Sequence, residues 1–227
     1  MKEIFKQLEN KLIVSCQAEG NSPFNSPAGV TMFAIAAIQG GAAGIRSEGV
    51  AKTAEIIKNV NVPVIGLLKN KFDDGTVRIT GSYKEIEQLI EINTNIIAVD
   101  GTIREREGLS GHKFIEEIKK RYNVTIMADI STYEEGVLCA ESGADCISTT
   151  LSGYTPYTSH LKNDEPDYDL LEKLSSTVHI PVFAEGKINT PITAKKIMEK
   201  GAFALVVGSA ITRPTLITEW FVKAIEK

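Results

Sequence analysis

The sequence predicts a (β/α)8 TIM barrel with a short N-terminal helix, built as a single domain over residues 1–227. Three observations carry this. Short apolar runs alternate with helical patterns at intervals of roughly 20 to 35 residues, the rhythm of βαβ units on a parallel sheet. The halves echo each other: GGAAGIR precedes NVPVIGLLK, and SGADCIST precedes HIPVFAEGK, which suggests two related half-barrels. No G-x-G-x-x-G fingerprint supports the rival doubly wound sheet.

In chain order, Lys2 to Asn10 is an amphipathic helix with Ile4, Phe5 and Leu8 on one face, placed to plug the barrel floor. The first strand is Leu12 to Cys16, and the turn-rich AEGNSPFNSPAG that follows is expected to be a mobile loop. Helical periodicity runs from Val30 to Gln39, where Gly40-Gly41 stops it. AAGIRSEG holds the second strand, ending at Arg46, and a helix spans Val50 to Val60. The third strand is expected over Val62 to Leu68 with Lys69 at its exit, and KFDDGTVRITGS as a hairpin-type excursion. Ser82 is a candidate N-cap for a helix over Tyr83 to Asn93. IIAVDGT exits at Asp100, REREGLSGHKFIEEIKKRYN contains a helix, and TIMADI exits at Asp129. A helix over Thr132 to Ser142, a strand opening CISTTLSGY, and the polar loop TPYTSHLKNDEPDYD, suited to a lid, come next. The chain continues with a helix over Leu170 to Ser176, strands at Pro181 to Ala184 and Ala204 to Val207, a helix from Thr190 between them, and a last helix over Leu216 to Glu226.

Composition narrows the class. A formal net charge of -4 with 24% charged residues marks neither a nucleic-acid nor a membrane surface. Three cysteines without C-x-x-C spacing, and no long apolar window, indicate a reduced, cytoplasmic protein. Cys16 and Cys146 lie in apolar runs where packing is their use.

Barrel chemistry sits at the carboxyl ends of the strands, where side chains and loop amides converge on one mouth. The exits here are Gln17, Arg46, Lys69, Asp100, Asp129, Thr149-Thr150, Glu185-Gly186-Lys187 and Gly208-Ser209. Glycine after the last two strands lets backbone N–H groups approach an anion, so Gly186, Lys187, Gly208 and Ser209 form a candidate phosphate cradle. Lys69, beside a cation such as Arg46 and away from water, would lose its proton more easily and serve as a base. Glu185 is a candidate proton donor or acceptor, and Arg46 suits an anionic or enolate oxygen or a structural ion pair. Asp129 could orient Lys69, bind a substrate hydroxyl, or cap the helix starting near Thr132. His112, His160 and His179 are not at exits, so no metal site and no cofactor are predicted. Lysine, carboxylate and phosphate cradle leave proton abstraction beside a carbonyl, Schiff-base aldol chemistry, or plain phosphosugar binding open.

The ordered motifs IVSCQA, GIR, PVIGLLK, IAVDGT, IMADIST, STTLSGYT, FAEGKI and VVGSAITRP resemble the bacterial N-acetylmannosamine-6-phosphate 2-epimerase family of sialic acid catabolism, from about Leu12 to the end. The resemblance implies a cofactor-free TIM-barrel epimerase, usually a homodimer, with Lys69 and Glu185 as catalytic residues. It also implies that Gln17, Arg46, Asp129 and Arg213 contact the sugar and that the glycine turns hold the phosphate; Thr150, at the exit of the sixth strand, is a further candidate for substrate binding. One departure is Arg104-Glu105-Arg106-Glu107, where relatives tend to carry an Arg-Pro pair. Apolar Ile211, Leu216, Trp220, Phe221 and Val222 suit either a dimer interface or core packing.

Overall fold

Burial on both faces makes each apolar run a strand, with one set of side chains inside a ring and the next set under helices. The computed structural model describes residues 2–72, 75–161 and 164–226. Asp73 and Asp74 of the predicted excursion, and Lys162 and Asn163 of the predicted lid, lie outside the described residues.

The strands are β1 (Leu12–Cys16), β2 (Gly44–Glu48), β3 (Val64–Leu67), β6 (Ile96–Asp100), β7 (Ile126–Asp129), β8 (Cys146–Ser148), β9 (Val182–Glu185) and β10 (Ala204–Val207), parallel and in sequential order, with β10 closing on β1. The predicted barrel is therefore present. Between β3 and β6 an antiparallel pair, β4 (Lys69–Lys71) and β5 (Val77–Ile79), stands apart from the ring.

Helix α1 (Glu3–Leu8) fills the floor as expected: Phe5 and Leu8 are buried, and Phe5 meets Phe183 and Phe203 edge-on or tilted at 6.3 and 6.4 Å. Burying such a ring stabilises by roughly 1.5–3 kcal/mol. Above it Ile13, Ile65, Ile96, Met127 and Val206 fill the ring interior. The outward residues, among them Val99, Ala128, Ile147 and Leu205, pack under the helices.

Helix starts follow local chemistry. Helix α2 (Pro27–Gln39) begins earlier than the periodicity indicated, because the Ser26 side chain accepts from Gly29 N and Pro27 occupies the first turn. Helices α4 (Tyr83–Glu91) and α6 (Tyr133–Glu141) start with capping boxes on Ser82 with Glu85 and Thr132 with Glu135. The cap of α6 is thus Thr132, which corrects the alternative that Asp129 fills that role. The remaining helices are α3 (Val50–Asn59), α5 (Gly111–Arg121), α7 (Tyr168–Thr177), α8 (Pro191–Glu199), α9 (Ser209–Thr212) and α10 (Pro214–Ile225). No residue of α10 is buried, and Phe221 and Ile225 are 71% and 82% exposed. Leu216 and Trp220 are half-buried, whereas Phe221, Val222 and Ile225 face outward and are not used in core packing.

Candidate active site

The strand ends surround a cavity of about 720 Å³ at the carboxyl face of the barrel. Gln17, Arg46, Lys69, Thr150 and Glu185 line it, as do Gly186, Lys187, Gly208, Ser209 and Arg213. These were singled out from sequence. Asp129 is the exception: it is fully buried, and it is not part of the cavity wall.

Its place is behind Arg46. The guanidinium meets Asp129 through Nη1 at 3.2 Å and Nη2 at 2.5 Å, and its Nε lies 3.3 Å from Glu185 Oε2. The ring order explains how residues from β2, β7 and β9 meet: they reach inward across the barrel rather than along the sheet. Arg46 is 1% exposed, so this is a buried ion pair that also forms cavity wall.

One cation between two buried carboxylates leaves a surplus negative charge. Burial pushes the carboxyls of Asp129 and Glu185 up, and Arg46 only partly opposes it. Burial also works against the charge of Arg46, yet Asp129 and Glu185 outweigh it and hold the guanidinium protonated. Two anions tending to neutrality and a firmly charged cation are compatible if the carboxyls share a single proton. Asp129 is gripped by two guanidinium nitrogens, which favour its charged form. Glu185, held by one longer contact and 14% exposed, takes the proton more readily. Thr150 fits this state: its hydroxyl is 2.9 Å from Asp129 Oδ1 and 3.0 Å from Glu185 Oε2. Having one proton to donate, it cannot serve two carboxylates, whereas a protonated Glu185 can donate to it while it donates to Asp129.

Lys69 opens β4 instead of ending β3, so the strand expected over Val62 to Leu68 is shorter and the excursion starts at the lysine itself. Pro63 and the pairing of Lys69 with Ile79 account for the change. The amine reaches the cavity, where Glu19 Oε1 lies 2.6 Å away. Arg46 is engaged by two carboxylates and the contact partner of Lys69 is an anion, which corrects the expectation of a lysine beside an uncompensated cation.

After β9, Gly186 has φ 108, which excludes other residues without strain, whereas a Cβ on Gly208 would meet Ser15 at 3.3 Å, a tight contact that a small shift of Ser15 could relieve. Only the first turn needs glycine for its backbone. The ammonium of Lys187 donates to Leu161 O at 2.9 Å, joining the cradle to the polar loop. That loop forms wall through Tyr154, Thr155 and Ser159, and Tyr157 Oη donates to the buried Glu135 at 2.5 Å.

Sequence reasoning missed Ser15, Glu19 and Arg104. Arg104 borders the cavity and donates to Asp100 Oδ2 at 2.5 Å and Val77 O at 3.0 Å, while the buried Arg106 donates to Asp100 Oδ1 at 2.9 Å. The segment without a proline is thus a clamp between β6 and the hairpin. Its alternating Arg-Glu pattern was the available signal. The three cysteines are free and buried, and burial pushes the Cys16 thiol up to about 12.

Comparison with known proteins bears on this geometry. Residues 30–227 match the family model described as "Putative N-acetylmannosamine-6-phosphate epimerase". The chain belongs to this family. A protein of Clostridioides difficile that carries the corresponding 2-epimerase name is 48% identical, over 97% of this chain and 98% of its own length. A Caldanaerobacter subterraneus family member is 46% identical, over 99% and 95%. The solved N-acetylmannosamine-6-phosphate 2-epimerase of Clostridium perfringens superposes with a TM-score of 0.92 at 42% identity, covering 99% of this chain and 97% of that one. Thiamine phosphate pyrophosphorylase of Pyrococcus furiosus, at 15% identity and TM-score 0.60, shares the fold only.

Proposed function

We propose that the protein interconverts N-acetylmannosamine 6-phosphate and N-acetylglucosamine 6-phosphate by removing and replacing the hydrogen on C2. One observation carries the reading: an amine and a protonatable carboxyl, Lys69 and Glu185, line one cavity together with the two glycine turns of the candidate phosphate cradle. The C2 hydrogen is acidic only beside a C1 carbonyl, so the open-chain sugar reacts. Neutral Lys69 takes the proton from C2, and the electron pair moves onto O1. Arg46 and Gln17, on the wall, stabilise that enolate oxygen. Asp129 orients Arg46, and Thr150 connects Glu185 to that pair. Return of a proton to the other face of C2, from Glu185 or relayed through a substrate hydroxyl, inverts the centre.

The phosphate rests on Gly186, Lys187, Gly208 and Ser209, with Arg213 at the same mouth. Its binding energy holds the flexible open chain against the reacting groups. No cofactor takes part in this scheme. Replacing Lys69 with alanine is expected to lower turnover by about 10²–10⁴-fold. The decisive measurement is NMR of N-acetylmannosamine 6-phosphate in deuterated water: undiminished C2 exchange in the variant removes the lysine from the reaction.

The reading extends to assembly and compartment. A homodimer joined through α10 is supported by Phe221, Val222 and Ile225, which are 71%, 43% and 82% exposed. Replacing Phe221 and Ile225 with serine is expected to give monomers by sedimentation, and a dimer that persists would exclude this interface. Free, buried thiols support a cytoplasmic setting, and among the described residues no helix is long and apolar enough to cross a membrane.

A further inference from the structure

At the cavity rim lies a carboxylate that the scheme above does not use. Glu19 follows β1, with Oε1 at 2.6 Å from Lys69 Nζ and Oε2 at 3.6 Å from Arg213 Nη2. Lys52 of α3 adds a third positive charge nearby. The backbone around Glu19 is fixed on both sides: Lys52 Nζ donates to Ala18 O at 3.0 Å, and Ser22 N donates to Glu19 O at 3.2 Å. Gly20, with φ 56, makes the turn between them. A half-exposed glutamate on a turn-rich loop would ordinarily sample solvent, yet here the loop delivers it to one amine.

We infer that Glu19 is a positioning residue for Lys69, holding the end of a four-carbon side chain over the cavity. The inference rests on Lys69 being the base. A free lysine samples many rotamers, and an ion pair at its tip removes much of that freedom before substrate arrives. The same contact favours the ammonium, so catalysis requires the proton to leave against the attraction of Glu19. Burial pushes the Glu19 carboxyl up, but Lys69, then Arg213 and Lys52, outweigh it and leave it below the usual carboxylate range. It is therefore an anion throughout the working range. Glu185, from the end of β9, acts on Lys69 in the same sense as Glu19, while Arg213 and Lys52 face Glu19 and moderate its pull.

The test compares kcat/KM against pH for the parent enzyme, Glu19→Gln and Glu19→Asp, with Lys69→Ala alongside. The substrate phosphate ionises near pH 6 in every case, so differences between curves belong to the protein. Loss of the anion lets the lysine give up its proton at lower pH. The ascending limb of Glu19→Gln should move toward acid, with a several-fold lower plateau. Glu19→Asp keeps the charge and should track the parent. A Glu19→Gln limb that superimposes on the parent, or a Glu19→Asp limb displaced equally far, overturns the assignment. Retained C2 exchange in Lys69→Ala would instead sink the underlying reading, whatever the Glu19 curves show.

Discussion

Asp100 and Asp129 sit opposite each other in register on neighbouring strands, and both are fully buried, but their surroundings are inverted. Asp100 receives two arginines, Arg104 and Arg106, and the backbone N–H and hydroxyl of Thr102. Asp129 shares a single arginine, Arg46, with a second carboxylate, Glu185. The first cluster carries surplus positive charge and braces β6 against the hairpin. The second carries surplus negative charge, and a proton is the way to relieve it. A buried ion cluster becomes chemically useful when its charges do not balance and a proton can correct the difference. Taken together the two clusters balance, three arginines against three carboxylates, and Asp100 itself adds to the upward push on Asp129.

The largest stability effect should come from emptying the acidic cluster of its cation. Arg46→Met is expected to cost about 3–5 kcal/mol at neutral pH, since it strands two buried carboxylates. Their folded-state affinity for protons would then exceed that of the unfolded chain, so stability falls as pH rises and the deficit narrows toward pH 5. Denaturant unfolding at several pH values reads this directly. Asp100→Asn should cost about 1.5–3 kcal/mol, the worth of hydrogen bonds to charged groups. Here the deficit should stay flat between about pH 5 and 8, because guanidinium groups do not titrate there. A deficit that shrinks on acidification would erase the contrast between the clusters. Glu185→Gln should have the smallest effect on stability, within about 1 kcal/mol. It should gain on the parent as pH rises, because the raised carboxyl of the parent loses stability through its own ionisation and an amide cannot. Its turnover should nevertheless fall by about 10²–10⁴-fold, and an active Glu185→Gln enzyme would remove the proton from the cluster's purpose.

Sequence exposed the barrel because strand and helix periods are local, and it exposed the strand exits because they follow directly from the strands. Lys69, Glu185 and both glycine turns were legible for that reason. Which carboxylate Arg46 would meet was not, since Asp129 lies 83 residues away and the pairing depends on where ring closure brings β2, β7 and β9. Glu19 left no trace: it sits in a segment without periodicity, and its role depends on an amine 50 residues along the chain. The clamp at Arg104 and Arg106 was visible only as a run of alternating charge, a pattern that solvent-exposed loops share. The early start of α2 was missed because hydrophobicity does not encode where a serine cap begins.

The amine belongs to the hairpin and not to the ring. Lys69 pairs with Ile79 through an antiparallel ladder that shares no backbone bonds with the eight parallel strands. Substitutions in that ribbon can thus tilt or advance the lysine by fractions of an ångström while every inter-strand bond of the cylinder survives, giving selection a fine adjustment screw on the reacting nitrogen that leaves the frame untouched.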